Sequence, residues 1–109
     1  MAFNKIYDMV VIGGGPAGYT SALYAARAGF SVLVLEKLSA GGQMALTHQI
    51  DNYPGFESGI DGFTLADKMK NQAERFGAES KFAEVKELNL LATPKEIKTA
   101  KDTYFAKTV

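Results

Sequence analysis

The 109-residue sequence contains no cysteine, no tryptophan and a single histidine, His48. Without cysteine these residues can form no disulfide, no thiolate metal site and no redox dithiol. One histidine excludes a multi-histidine metal centre. His48 sits between Thr47 and Gln49 with no Ser-His-Asp arrangement around it, so it reads as a loop or surface residue. An excess of one charge is missing too: 12 basic residues balance 12 acidic ones, which gives no electrostatic reason to expect nucleic acid or an anionic membrane as a partner. Apolar runs are no longer than a strand, so no membrane span is expected. The first motif begins too close to Met1 for a signal peptide, and a cytoplasmic location is the expectation. There is no internal repeat and no low-complexity segment. No residue stands out as a catalyst or metal ligand. A hydrophobic content of 47% and a length sufficient for one small core place the chain among globular single domains.

What is present is concentrated in residues 7–36, YDMVVIGGGPAGYTSALYAARAGFSVLVLE. An apolar run at 9–12 leads into Gly13, Gly15 and Gly18, a G-x-G-x-x-G turn that opens an alanine-rich helix; a second apolar run at 32–35 ends in Glu36. Strand, glycine turn, helix, strand and acid in this order make a dinucleotide-binding βαβ unit. Gly13 is expected to permit a sharp turn where a Cβ would clash, Gly15 to let a pyrophosphate approach the backbone, and Gly18 to let the helix lie close to the strands. The unpaired N–H groups of the first helical turn and the helix dipole then favour phosphate. Pro16 suits that first turn, and Gly29 is a natural stop. Glu36 would accept hydrogen bonds from ribose hydroxyls and repel a 2′-phosphate, favouring FAD or NAD over NADP; the adjacent Lys37 works against that exclusion.

Residues 38–62 form a long polar, glycine-rich connection. Gly41 and Gly42 allow close backbone approach, Gln43 offers both a donor and an acceptor, and Asp51-Asn52-Tyr53-Pro54-Gly55 is a turn. A loop this long in a compact domain is usually functional or disordered. Asp61, or else Thr64, is expected to cap a helix whose buried face carries Leu65, Met69, Ala73 and Phe76, with Lys68, Lys70, Glu74 and Arg75 on the solvated side and Gly77 as the stop. The methionines and phenylalanines here are expected in the core. Residues 80–85 read as a third parallel strand, and 86–91, 96–100 and 103–109 as a small antiparallel meander with turns near Thr93-Pro94 and Lys101-Asp102.

With the glycine turn, Glu36, Gly41-Gly42-Gln43 and Asp51-Asn52-Tyr53-Pro54-Gly55 in hand, the chain resembles the N-terminal FAD-binding part of low-molecular-weight thioredoxin reductases, class II pyridine nucleotide-disulfide oxidoreductases, from about Tyr7 to Val109. The glycine unit is common to many flavoproteins, whereas G-G-Q followed by N-x-P-G is much more specific to this group. The group includes alkyl hydroperoxide reductase flavoproteins and ferredoxin-linked reductases. The resemblance implies an α/β, Rossmann-like FAD-binding domain over residues 1–109, incomplete relative to the family, with the NADPH domain and its Cys-x-x-Cys pair absent. It implies that Gly13, Gly14, Gly15, Pro16 and Ala17 lie along the FAD pyrophosphate, and that Glu36, beside Lys37, holds the adenosine ribose. Gly42 and Gln43 would approach the ribityl chain and flavin, Thr47 the flavin face, and Asn52 the ring edge. Val85, with Glu84, would meet adenine through the backbone. The parent enzyme would pass electrons from NADPH through FAD to a disulfide, with a thioredoxin-like protein or a ferredoxin as partner and a homodimer as the possible assembly. The chain by itself is not expected to turn over. The alternatives are a ferredoxin/flavodoxin–NADP reductase-like or alkyl hydroperoxide reductase flavoprotein fragment, or a stand-alone nucleotide-binding module.

Overall fold

The structure, a computed structural model, describes residues 5–37, 41 and 45–109. Eight elements follow in the order β1 (Ile6–Ile12), α1 (Pro16–Arg27), β2 (Val32–Glu36), α2 (Gly62–Arg75), β3 (Glu79–Phe82), β4 (Val85–Asn89), β5 (Lys95–Thr99) and β6 (Thr103–Thr108). The strands join in one six-stranded sheet of order β3-β2-β1-β6-β5-β4. β1 runs parallel to both β2 and β6, and β2 parallel to β3, while β4, β5 and β6 are antiparallel. The expected Rossmann-like parallel sheet with an antiparallel meander is the architecture found. No helix among the described residues is long and apolar enough to cross a membrane.

β2 explains the layering. Val32, Leu33, Val34 and Leu35 are all buried, as a strand covered on both faces requires. Their side chains alternate between two cores. Val32 and Val34 pack with Tyr19, Ala22 and Ala26 of α1 and with Ala73 and Ala78. Leu33 and Leu35 pack on the opposite side with Tyr7, Val10, Ile97 and Ala106, backed by Val85 and Tyr104. The small residues of α1 let it lie close to the sheet; the meander covers the other face.

α2 starts as its sequence predicts. Asp61 is the N-cap: its Oδ1 accepts the Thr64 N–H at 2.8 Å and its Oδ2 accepts the Thr64 hydroxyl at 2.6 Å, so Thr64 is the partner of the cap and not the cap itself. Leu65 and Ala73 are buried and Met69 packs against the first core. The phenylalanines depart from expectation. Phe63 is 65% exposed, and Phe76 is 37% exposed beneath the guanidinium groups of Arg27 and Arg75. Phe76 lies one residue past α2, where the chain has already turned, so the helical spacing that aligned it with Ala73 no longer applies.

The third strand is also shorter than residues 80–85. Its last pair is Phe82 with Glu36, where β2 ends, and with no partner left the chain leaves the sheet. Val85 instead opens β4 and pairs with Thr99. The long connection is closed on itself by reciprocal backbone bonds between Ile50 and Ile60, at 2.7 and 3.0 Å.

Leu33→Ala is expected to cost about 2–5 kcal/mol of stability, as a large-to-small change in a core, measured by urea unfolding. The Asp61 carboxyl is held below its ordinary value of 3.8 by the Thr64 hydroxyl and then the Thr64 N–H. A lowered folded-state value means that the contribution is complete above the ordinary value and is lost as pH falls through the lowered one. Asp61→Ala therefore lowers the melting temperature at about pH 7, and the gap to the wild type narrows as pH falls below the ordinary aspartate value, by circular-dichroism melts.

Candidate functional site

The turn after β1 and the end of β2 are held together by backbone and carboxylate. Gly13 donates its N–H to the Leu35 carbonyl at 2.8 Å, and Gly14 donates its N–H to Glu36 Oε2. Glu36 Oε1 accepts the Lys37 N–H at 2.8 Å. From the far side Ala83 donates its N–H to the Glu36 carbonyl at 2.9 Å, and Gly41 donates its N–H to the Gly14 carbonyl. The glycine turn, the end of β2 and Ala83 thus meet at one acid, and Gly41 joins them through Gly14.

The glycines act differently from one another. Gly13 has φ +104°, a conformation that side chains rarely adopt, yet a Cβ there would meet nothing within 4 Å; backbone conformation, not the expected clash, demands glycine. Gly18 is the position of close approach: a Cβ would run into the Gly13 carbonyl and come within 3.2 Å of Val11 Cγ1. At Gly15 the nearest atom to such a Cβ is the Gly41 carbonyl oxygen, at 4.0 Å, so the backbone is open to a bulky group. Gly14 is walled instead: a Cβ there would lie 3.0 Å from both Glu36 Oε2 and Tyr19 Cε2.

Gly15 is also the N-cap of α1 and supplies no side-chain cap, and the first turn holds no acidic residue. Pro16 and Ala17 are exposed there. The positive end of the helix dipole therefore opens beside Gly15 with no side chain of its own to neutralise it, an arrangement suited to an anion.

Around this turn the charges pair. Glu84, just beyond the Ala83 tie, receives Lys86 Nζ at 2.6 Å and Lys37 Nζ at 3.3 Å. Lys86, then Lys37, hold its carboxyl below the usual glutamate range. Beneath the turn Tyr19 is 1% exposed, and its buried hydroxyl lies beside that of Ser80. Burial is the main cause of the raised pKa of Tyr19.

Of the residues that the sequence singles out, Gly13, Gly14, Gly15, Pro16, Ala17, Glu36 and Lys37 come together here. Gly42 and Gln43 lie outside the described residues. Thr47 is exposed, with its carbonyl accepting the Gly62 N–H at 2.8 Å. Asn52 lies in a separate open depression of about 550 Å³ formed by residues 51–57. Val85 is half-buried at the start of β4, its side chain against the meander core. One participant was not legible as such: Tyr19, buried in α1, walls Gly14. Gly41, expected only to allow close backbone approach, clasps the turn by donating its N–H to the Gly14 carbonyl.

Gly18→Ala is expected to destabilise by about 1–3 kcal/mol through overpacking against the Gly13 carbonyl, with a matching fall in the urea midpoint.

Comparison with known proteins fits this geometry. The family model described as pyridine nucleotide-disulphide oxidoreductase matches residues 7–109. A bifunctional thioredoxin reductase/thioredoxin of Mycobacterium leprae is 48% identical over 109 residues, covering 99% of this chain and 24% of that protein. The thioredoxin reductase of Bacillus subtilis is 45% identical, covering 100% of this chain and 34% of its own length. The crystal structure of thioredoxin reductase from Streptococcus pyogenes superposes with a TM-score of 0.89 at 42% identity, covering 96% of this chain and 34% of that one. The chain thus spans about a third or less of the length of these relatives. A matching family model over almost every residue, together with the glycine turn closed by Glu36, places the chain in the pyridine nucleotide-disulphide oxidoreductase family.

Proposed function

We propose that these residues form the FAD-binding part of a thioredoxin-reductase-like disulfide reductase. The observation that carries the reading is the contact between the Gly14 N–H and the Glu36 carboxylate, beside the open backbone at Gly15. A flavin dinucleotide fits what is present. Gly15, Pro16 and Ala17 would take the pyrophosphate at the helix N-terminus. Glu36 would hold the ribose hydroxyls next to Gly14, while Asn52, Thr47, Gly42 and Gln43 would reach toward the flavin end and Val85 toward adenine. When bound, FAD supplies the hydride and electron chemistry that side chains lack. The chain's own part is to bind and orient: the helix dipole opposes phosphate charge, and the carboxylate selects hydroxyls over phosphate.

In the whole protein, electrons would pass from NADPH to a disulfide of a thioredoxin-like partner, in keeping with the names of the relatives. With no cysteine among the 109 residues, none of them supplies the dithiol of that relay. A cytoplasmic location and a homodimer go with this reading as further expectations.

The test is flavin binding. The purified protein is expected to show flavin absorption, or to quench flavin fluorescence on titration with FAD. Glu36→Ala is expected to weaken FAD binding about tenfold or more, the loss of hydrogen bonds to a charged group. Equal FAD affinity in wild type and Glu36→Ala would remove Glu36 from the site.

A further inference from the structure

We propose that Glu84 makes this site selective for adenine nucleotides with an unmodified ribose, by holding the Lys37 ammonium that would otherwise pair with a 2′-phosphate. The proposal rests on the reading of Glu36 as the ribose acid and deepens it.

Lys37 follows Glu36 directly, and a basic residue at this point of a dinucleotide fold is what accommodates a 2′-phosphate. Taken from sequence, Lys37 contradicts the selectivity that Glu36 imposes. The structure resolves the contradiction: Lys37 Nζ lies 3.3 Å from Glu84 Oε2. The placement of Glu84 is built into the fold. Phe82 is the last residue of β3 to pair with β2, and the Ala83 N–H is bound to the Glu36 carbonyl at 2.9 Å. Glu84 is thus set down next to the end of β2 by backbone bonds that involve no side chain. Its second oxygen takes Lys86 Nζ at 2.6 Å.

The charge balance gives the same answer. Glu36 and Glu84 offset Lys37 and Lys86, so these four side chains sum to zero. A 2′-phosphate would bring roughly 1.5–2 further negative charges next to two carboxylates, with both ammonium groups already engaged. A ribose hydroxyl brings none and needs only an acceptor, which Glu36 provides.

The ion pairs are exposed, with side-chain accessibilities of 63% for Lys37 and 39% for Glu84, so the effect is moderate and salt-sensitive. The experiment compares ADP with 2′,5′-ADP by calorimetry on the purified protein, freed of any bound flavin. Wild type is expected to prefer ADP. Glu84→Gln is expected to tighten 2′,5′-ADP relative to ADP by about threefold to tenfold. The gain should vanish in the double variant Glu84→Gln/Lys37→Gln and in about 0.5 M salt. A Glu84→Gln variant with unchanged preference, or a gain that survives removal of Lys37, overturns the proposal. Failure of the wild type to bind ADP at all overturns the nucleotide-site reading and this proposal with it; ADP binding with an unchanged preference leaves that reading standing.

Discussion

The end of β2 is the point on which the structure depends. Within two residues, the Leu35 carbonyl accepts the Gly13 N–H, the Glu36 carbonyl accepts the Ala83 N–H, and the Glu36 carboxylate accepts the Gly14 N–H. Backbone bonds set the distance between the glycine turn and the strand end, and the carboxylate sets the pose of the turn. A carboxylate accepting N–H groups is a charge-assisted contact, stronger than its neutral counterpart. The acid proposed to serve the ligand therefore also shapes the glycine turn beside it.

That point is firm because β2 is locked from both sides. Val32 and Val34 meet the helices while Leu33 and Leu35 meet the meander. Packing at organic-crystal density leaves no slack for the strand to slide, and a slip of one residue would reverse every side chain. The polar staples at the other end of the sheet work in the same direction. The Tyr7 hydroxyl donates to Glu79 at 2.6 Å across the sheet, and Asp8 accepts the Ser31 N–H at 2.8 Å where α1 returns to β2. Burial, then the Glu79 carboxylate, raises the pKa of Tyr7, so the phenol stays protonated and the bond persists through the neutral range.

Much of this was legible in the sequence because it obeys local rules. The βαβ unit, the Asp61 cap and the meander turns depend on residue types at fixed spacing, and these were found where expected. The misses share a different cause. Where β3 ends is decided by where β2 runs out, and Phe82 pairs with Glu36, far earlier in the sequence. Phe76 keeps helical spacing but falls past the last helical residue. The site divides in the same way: the glycine turn and Glu36 are local, whereas Tyr19, the Gly41 clasp and the Lys37–Glu84 pair exist only once the chain is folded.

β6 has a further consequence. It reaches back to β1, so that Ile6 faces Phe105 and Tyr7 faces Ala106, while its antiparallel side zips to β5. The chain therefore closes as a loop, with nearly its first described strand sealed by its last. On a ribosome the glycine turn, α1 and β2 emerge early, but Leu33 and Leu35 stay uncovered until Ile97 and Ala106 arrive. Ordering of the glycine turn and burial of the meander face are separated in time, and the apolar sheet face stays open until β5 and β6 have been made.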